Sequence, residues 1–347
     1  MIFLMIMIIN KMWRYYIMKK LFVLLIIVLS VSGCSASEPE ATSDNEAENQ
    51  ITEENEIEVE TEKEEPEIIG VSIVPQETFL KAVVGNNYEK ITLIPPGSSP
   101  TSHQPSIRTL QKLSEAQLYF SIDVPTEVSN IRPMLKEYEN LKIIDLADQV
   151  DEMYPARYFS TDDADDDHNH DNATEATEDD DHNHEGRDPH IWLSPKRAIA
   201  MVEIMTQELI KTYPEDESVF TENSKKYIKK LEDLDEYIQS KVAEAEIKDF
   251  IIFHPSYGYL ADDYGLNMIE IEYDGKEANI NELNRIIEVA EEKNITDIYY
   301  QEEMSIKQSE IVANELNGEV IKLTPLSADY IESQKYFIDT LVGESLE

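Results

Sequence analysis

The side chains best suited to chemistry in this sequence are histidines, and they cluster. Of the seven in the chain, four sit in two copies of Asp-Asp-Asp-His-Asn-His, at residues 165–170 and 179–184. Each copy sets two imidazoles at i and i+2 among carboxylates, His168 with His170 and His182 with His184. Donors of this kind suit Zn²⁺ and its neighbours. An acidic stretch with incidental histidines would only be solvated, but a repeated hexapeptide argues for metal collection. An unfolded chain loses entropy each time it forms a site, so this stretch is expected to hold several ions loosely.

Two further histidines stand at the ends of ordered elements. His190 lies in Arg187-Asp188-Pro189-His190-Ile191-Trp192-Leu193-Ser194-Pro195. Ser194 then Pro195 suits the N-cap and first turn of a helix running to about Lys211, which places His190 in the connection just ahead of it. His254 follows the apolar run Phe250-Ile251-Ile252-Phe253 directly and precedes Pro255. That is the carboxyl end of a strand, where open α/β sheets bind ligands. A lone histidine at such a place is as readily structural as ligating. One from each half of the chain, with a His-rich stretch abutting one of them, points to a shared metal site.

The elements that must position these residues follow from the hydrophobic pattern. In the first half the pattern predicts strands at Ile68 to Val74, Ile91 to Ile94, Leu118 to Val124 and Leu141 to Leu146, with helices at Gln76 to Val84 and Ile107 to Gln117. After Asp249 the same grammar recurs. Strands are expected at Phe250 to Phe253, Met268 to Ile271, Asp297 to Tyr300 and Val320 to Leu323, and helices at Ser256 to Tyr264, Asn281 to Lys293 and Ser305 to Leu316. Alternation of this kind implies βαβ units and parallel sheets. Between the halves, Tyr227, Ile228, Leu231, Leu234, Ile238, Val242 and Ala245 recur at helical spacing within Glu217 to Ile247. Some 28 residues at 1.5 Å each span roughly 40 Å, the size of a whole lobe. No Gly or Pro marks a break near Asp233, so a single rigid helix is preferred over a hairpin. The expected fold class is α/β, with two Rossmann-like lobes on parallel sheets joined by one long rigid helix.

Charge completes the organisation. The chain has 347 residues, 72 acids against 29 bases and a formal charge of −43. Nucleic acid is excluded as a partner, since such a surface repels phosphate backbones. A single Cys excludes an internal disulfide framework and any multi-cysteine metal site. Residues 1–34 carry +4, residues 35–66 carry −12, residues 162–188 carry −12 and the remainder carries −23. Met18-Lys19-Lys20, the apolar run Leu21 to Leu29 and the small residues before Cys34 read as an export signal, residues 1–33. The apolar run is too short to span a bilayer comfortably. Because residues 1–17 add a second apolar stretch ahead of an already complete signal, initiation is expected at Met18. Residues 34–66 form an acidic stretch too polar to repay its ordering entropy, and read as an extended tether. The remaining divisions are an N-terminal α/β lobe at 67–212 that includes the His/Asp-rich stretch 162–188, the linking helix at 213–248, and a C-terminal α/β lobe at 249–347.

Val31-Ser32-Gly33-Cys34 resembles a bacterial lipobox, which implies cleavage before Cys34 and lipid attachment to its sulfur. The runs Asp-Pro-His-Ile-Trp-Leu-Ser-Pro at 188–195, His-Pro-Ser-Tyr-Gly-Tyr-Leu at 254–260 and Pro-Pro-Gly-Ser-Ser-Pro at 95–100, with Gly275-Lys276-Glu277, make the chain similar over nearly all of 67–347 to a known family. They resemble the zinc- and manganese-binding lipoproteins of ABC importers, the ZnuA-like solute-binding proteins. The resemblance implies two α/β lobes, a rigid linking helix and a metal held between the lobes by His190 and His254. It also implies delivery to a membrane permease driven by a cytoplasmic ATPase.

Two positions depart from the family pattern. Its first histidine normally follows the Pro of the Pro-Pro-Gly turn, where this chain has Thr101, with His103 two residues later. Two residues along an extended segment keep the face but move the side chain by about 6–7 Å. The family's Asp-Pro-Leu near the end of the last strand is here Thr324-Pro325-Leu326. The remaining ligands are therefore open among His103, the carboxylates of Asp329, Glu302 and Glu303, and a water in the fourth tetrahedral position.

The leading expectation is an extracytoplasmic receptor of an ABC importer, anchored to the cell membrane through its lipid and acting as a monomer. Zn²⁺ is the expected cargo, because imidazole-rich ligation favours it over Mn²⁺, the second choice. A zinc-dependent hydrolase would use three ligands and an open position to activate water. No His-Glu-x-x-His helix supports that reading, so no enzyme activity is expected. A surface adhesin of the same fold is the remaining alternative, with no distinct motif to support it.

Overall fold

The computed structural model describes residues 66–159, 186–272 and 277–343. The export signal, Cys34, the tether, His168, His170, His182, His184 and Gly275-Lys276 lie outside the described residues.

Leu118-Tyr119-Phe120-Ser121 is buried at every position, as a strand covered by helices on both faces must be. It is β3 of a four-stranded parallel sheet, with β1 (Ile68–Val71), β2 (Glu89–Thr92) and β4 (Lys142–Asp145) in the order β2-β1-β3-β4. The second lobe repeats the plan in β5 (Asp249–Ile252), β6 (Asn267–Glu270), β7 (Ile298–Gln301) and β8 (Val320–Leu323), ordered β6-β5-β7-β8. In each lobe the first strand is flanked by the second on one side and the third on the other. The carboxyl ends of that first and third strand therefore frame a topological switch point, where crevices form in such sheets.

The helices of the first half are α1 (Val74–Val84), α2 (Ile107–Leu113), α3 (Arg132–Leu135), α4 (Leu146–Asp151) and α5 (Pro195–Thr212). The linking helix α6 (Glu217–Glu244) runs 28 residues without a break. It buries Phe220, Tyr227, Leu231, Leu234, Ile238 and Val242 along one stripe, as the spacing predicts. In the second lobe follow α7 (Gly258–Tyr264), α8 (Ile280–Lys293), α9 (Lys307–Leu316) and α10 (Tyr330–Leu341). No helix among the described residues is long and apolar enough to cross a membrane.

Several boundaries differ from the sequence expectation for local reasons. Helix α1 starts at Val74, with Pro75 in its first turn, because Gln76 Oε1 accepts the amides of Ser72 (2.9 Å) and Ile73 (3.1 Å) and turns the chain out of β1. Ser194 takes the N-cap position of α5, yet its hydroxyl does not cap it; Ser194 Oγ donates to Asp263 Oδ2 at 2.6 Å in the other lobe. Helices α3, α4 and α10 are absent from the sequence reading.

The two lobes share one apolar core. Phe79 of α1 meets Tyr330 of α10 edge to face, with centroids 5.0 Å apart. The continuous cluster runs from Ile69, Phe120 and Trp192 to Phe250, Tyr299 and Phe337. Helix α6 packs on α1 and α5 of the first lobe and on α7 and α10 of the second. A smaller cluster around Ile251, Ile298 and Val312 fills the outer side of the second sheet.

Candidate metal site

Two imidazoles from opposite lobes meet where the sheets' carboxyl ends face each other. His190 comes from the approach to α5 and His254 from the turn two residues beyond β5, and their ring centroids are 5.1 Å apart with planes at 75°. Trp192 flanks His190 at 5.3 Å, and its Nε1 donates to Pro325 O at 3.0 Å, closing the wall against the second lobe.

Each ring is held by a carboxylate on the same nitrogen. His190 Nδ1 lies 2.7 Å from Asp188 Oδ1, which also accepts the His190 backbone amide at 3.0 Å. His254 Nδ1 lies 3.1 Å from Glu272 Oε2, beyond the end of β6. With Nδ1–H donated to a carboxylate, the neutral ring keeps its lone pair on Nε2. This is the tautomer and orientation a metal-ligating histidine requires. Burial holds His190 below the ordinary imidazole range, against the opposing pull of Asp188, and so favours the neutral, ligating form. The other oxygen of Asp188 sits 3.3 Å from Arg157 Nε, and Tyr259 OH donates to the Asp188 carbonyl at 2.9 Å.

The rings border a cavity of about 30 Å³. That volume is enough for an ion with a water. The first lobe contributes Ser99, Pro100, Thr101, Pro125 and Pro189 to the wall, the second Ser256, Gln301, Glu303, Met304 and Leu326. Among the described residues, Glu303 is thus the one carboxylate on the cavity wall beside the two imidazoles, and burial pushes its carboxyl above the ordinary range.

The other sequence candidates lie elsewhere. His103 is half-buried in the loop after β2 and does not line the cavity, where Thr101 stands instead. Glu302 is exposed and pairs with Lys322 at 3.3 Å. Asp329 is exposed at the N-cap position of α10, away from the wall. Thr324 shares a hydroxyl contact of 3.2 Å with Ser333.

Sequence reasoning missed the carboxylates that orient the rings. Asp188, two residues before His190, was a readable signal; Glu272, 18 residues from His254, joins it only through the β5–β6 pairing. A second carboxylate group, Asp123, Asp145 and Asp148, has oxygens within 4.8 Å of one another. The protein's own cations already serve it: Arg132 pairs with Asp123 and with Asp145 (2.5 Å), and Arg187 with Asp148 (2.9 Å).

The chain is similar in sequence and fold to known proteins. The family model described as ZnuA, zinc-uptake complex component A periplasmic, matches residues 69–343. The zinc-binding protein AdcA of Streptococcus pyogenes serotype M3 is 29% identical over 285 residues, covering 79% of this chain and 53% of the relative. The chain therefore spans about half the length of that relative. The high-affinity zinc uptake system protein ZnuA of Bacillus subtilis is 26% identical over 340 residues, covering 92% of this chain and 95% of the relative. Among solved structures, the 138-173 ZnuA deletion mutant plus zinc bound superposes with a TM-score of 0.67 at 28% identity, covering 82% of this chain and 100% of that one. With the matched span taking in both lobes and both histidine motifs, the chain belongs to the ZnuA family of zinc-uptake components.

Proposed function

We propose that this protein is the extracytoplasmic receptor of an ABC-type zinc importer, which takes up Zn²⁺ between its lobes and hands it to a membrane permease. His190 Nε2 and His254 Nε2 hold the ion, with the Glu303 carboxylate as third donor and water in the remaining position of a tetrahedral shell. One observation carries the reading: two imidazoles from opposite lobes stand 5.1 Å apart, each with Nδ1 on a carboxylate. Two imidazoles with one carboxylate suit Zn²⁺ better than Mn²⁺. Among the described residues, no other acid or base on the cavity wall stands beside the two imidazoles and Glu303 to activate a water, which favours a receptor over a hydrolase. Lipidation of Cys34 would tether the receptor to the membrane, and the repeats holding His168, His170, His182 and His184 would collect ions nearby.

Zinc titration of the intact chain against a competing chelator tests this. One tight site is expected, lost in His190→Ala and in His254→Ala and weakened in Glu303→Gln. His103→Ala is expected to leave it intact, and deletion of 162–186 to lower the number of loosely held ions while sparing it. A tight site that survives both His190→Ala and His254→Ala would overturn the assignment.

A further inference from the structure

Gln301 is the last residue of β7, at the switch point beside the end of β5, and it is 1% exposed. Its amide nitrogen has two hydrogens and uses both. Nε2 donates to the His254 carbonyl at 2.6 Å and to Ser256 Oγ at 2.7 Å. The His254 carbonyl only accepts, so the amide's orientation is fixed and the nitrogen cannot trade places with the oxygen. The side-chain oxygen is left over. Gln301 Oε1 is buried without a hydrogen-bond partner among the described residues, and the side chain lines the cavity between the two imidazoles' lobes.

A buried carbonyl oxygen without a donor is costly, and native structures retain one where something outside the protein satisfies it. Six of the fourteen wall residues, Pro100, Pro125, Pro189, Met304, Pro325 and Leu326, have side chains that offer no donor. A water bound to a cation in the cavity has the complementary need. Its protons are polarised by the ion, and it must place them on acceptors.

Resting on the receptor reading above, we propose that Gln301 Oε1 accepts a hydrogen bond from a water bound to the cargo ion. Gln301 is thereby a positioning residue of the site. Its nitrogen fixes the turn that carries His254, and its oxygen fixes the water that completes the shell. Being neutral, this acceptor supports the ion's hydration without adding charge that would hinder release.

Zinc affinity of the intact chain, read by chelator competition, is compared for Gln301→Met and Gln301→Glu. Methionine keeps the length and removes donor and acceptor; glutamate keeps an acceptor and removes the donors. The expected result is a 10–100-fold loss in Gln301→Met, the range typical of residues that support metal ligands, and a clearly smaller loss in Gln301→Glu, which keeps the acceptor and gives up only the nitrogen's hold on the His254 turn. Equal losses in both would show that only the nitrogen's hold on the His254 turn matters and would overturn the proposal. An unchanged Gln301→Met would overturn it as well. Parallel His190→Ala and His254→Ala titrations separate the cases: wild-type binding by these two sinks the cleft itself, whereas their loss beside a wild-type Gln301→Met sinks the Gln301 role alone.

Discussion

At the scale of single residues, the site depends as much on what holds each imidazole as on the imidazoles. Asp188 is fully buried, and its Oδ1 accepts both the ring and the backbone amide of His190. Asp188→Asn nearly preserves the shape, but its amide either turns a neutral oxygen toward Nδ1 or faces it with an NH₂. Loss of the charge lowers the basicity of Nε2. Zinc affinity is expected to fall 10–100-fold in Asp188→Asn, and comparably in Glu272→Gln, measured by chelator competition. Retention of wild-type affinity in both would show that the carboxylates serve the fold alone. The two histidines were legible because each sits where a strand or a helix must end or begin, a position set by local sequence. Glu272 and Gln301 were not, because they reach His254 through strand pairing and across a turn. The displacement of His103 from the wall has the same origin, since the path of the loop after β2 is set by what it packs against.

At the scale of elements, periodicity made the eight strands and the long helix legible, and failed where the stripe was short or interrupted. Helix α3 has only four residues, with Pro133 in its first turn, below the length at which a period can be seen. Helix α10 buries Tyr330, Gln334, Phe337 and Ile338, so a polar residue stands within its apolar stripe. Helix α5 shows how charge ties an element to its sheet. Glu208, buried near its end, accepts from Lys142 Nζ of β4 at 2.5 Å and from Lys211 Nζ at 2.6 Å. Burial pushes the Glu208 carboxyl up, but the two ammonium groups outweigh it and leave the net shift downward. A carboxyl depressed in the folded state adds stability above its unfolded value, near 4.3, and loses it as pH falls through the folded value. Both lysines are largely exposed, so screening limits the gain to about 0.5–1 kcal/mol. Glu208→Gln is therefore expected to cost about that much in urea unfolding at pH 7 and nothing measurable near pH 3. A cost that persists at pH 3 would trace the effect to packing instead.

At the scale of the whole molecule, the proposed receptor raises the question of how two lobes would take up and release one ion. Residues 67–161 and 189–347 still carry −23, a field that draws cations toward the cleft within the 8–10 Å reach of screening at physiological salt. The contacts between the lobes argue against a wide hinge. Tyr330 OH donates to Trp192 O at 2.7 Å and Thr78 Oγ1 to Ala328 O at 3.0 Å, beside the shared aromatic core. The strongest bracket is Arg197 of α5, 2% exposed, whose Nε and Nη2 grip the Asp263 carboxylate of α7 at 2.9 and 3.1 Å while Nη1 donates to Pro155 O at 3.0 Å. Its guanidinium also lies 4.3 Å from the Tyr259 ring centroid. Opening the lobes would strand these charges, at a cost of about 3–5 kcal/mol that ion capture would have to offset. Arg197→Met leaves the partly buried Asp263 without its cation and is expected to destabilise the fold by about 3 kcal/mol, read from urea unfolding. Adding Asp263→Leu, which removes the stranded charge, should recover most of that loss. In the intact protein, small-angle scattering with and without Zn²⁺ should give indistinguishable radii of gyration, because capture is confined to the cavity wall and its loops. A measurable contraction on zinc binding would show that the lobes close on the ion as hinged bodies, and an Arg197→Met as stable as wild type would show that the bracket does not hold them together.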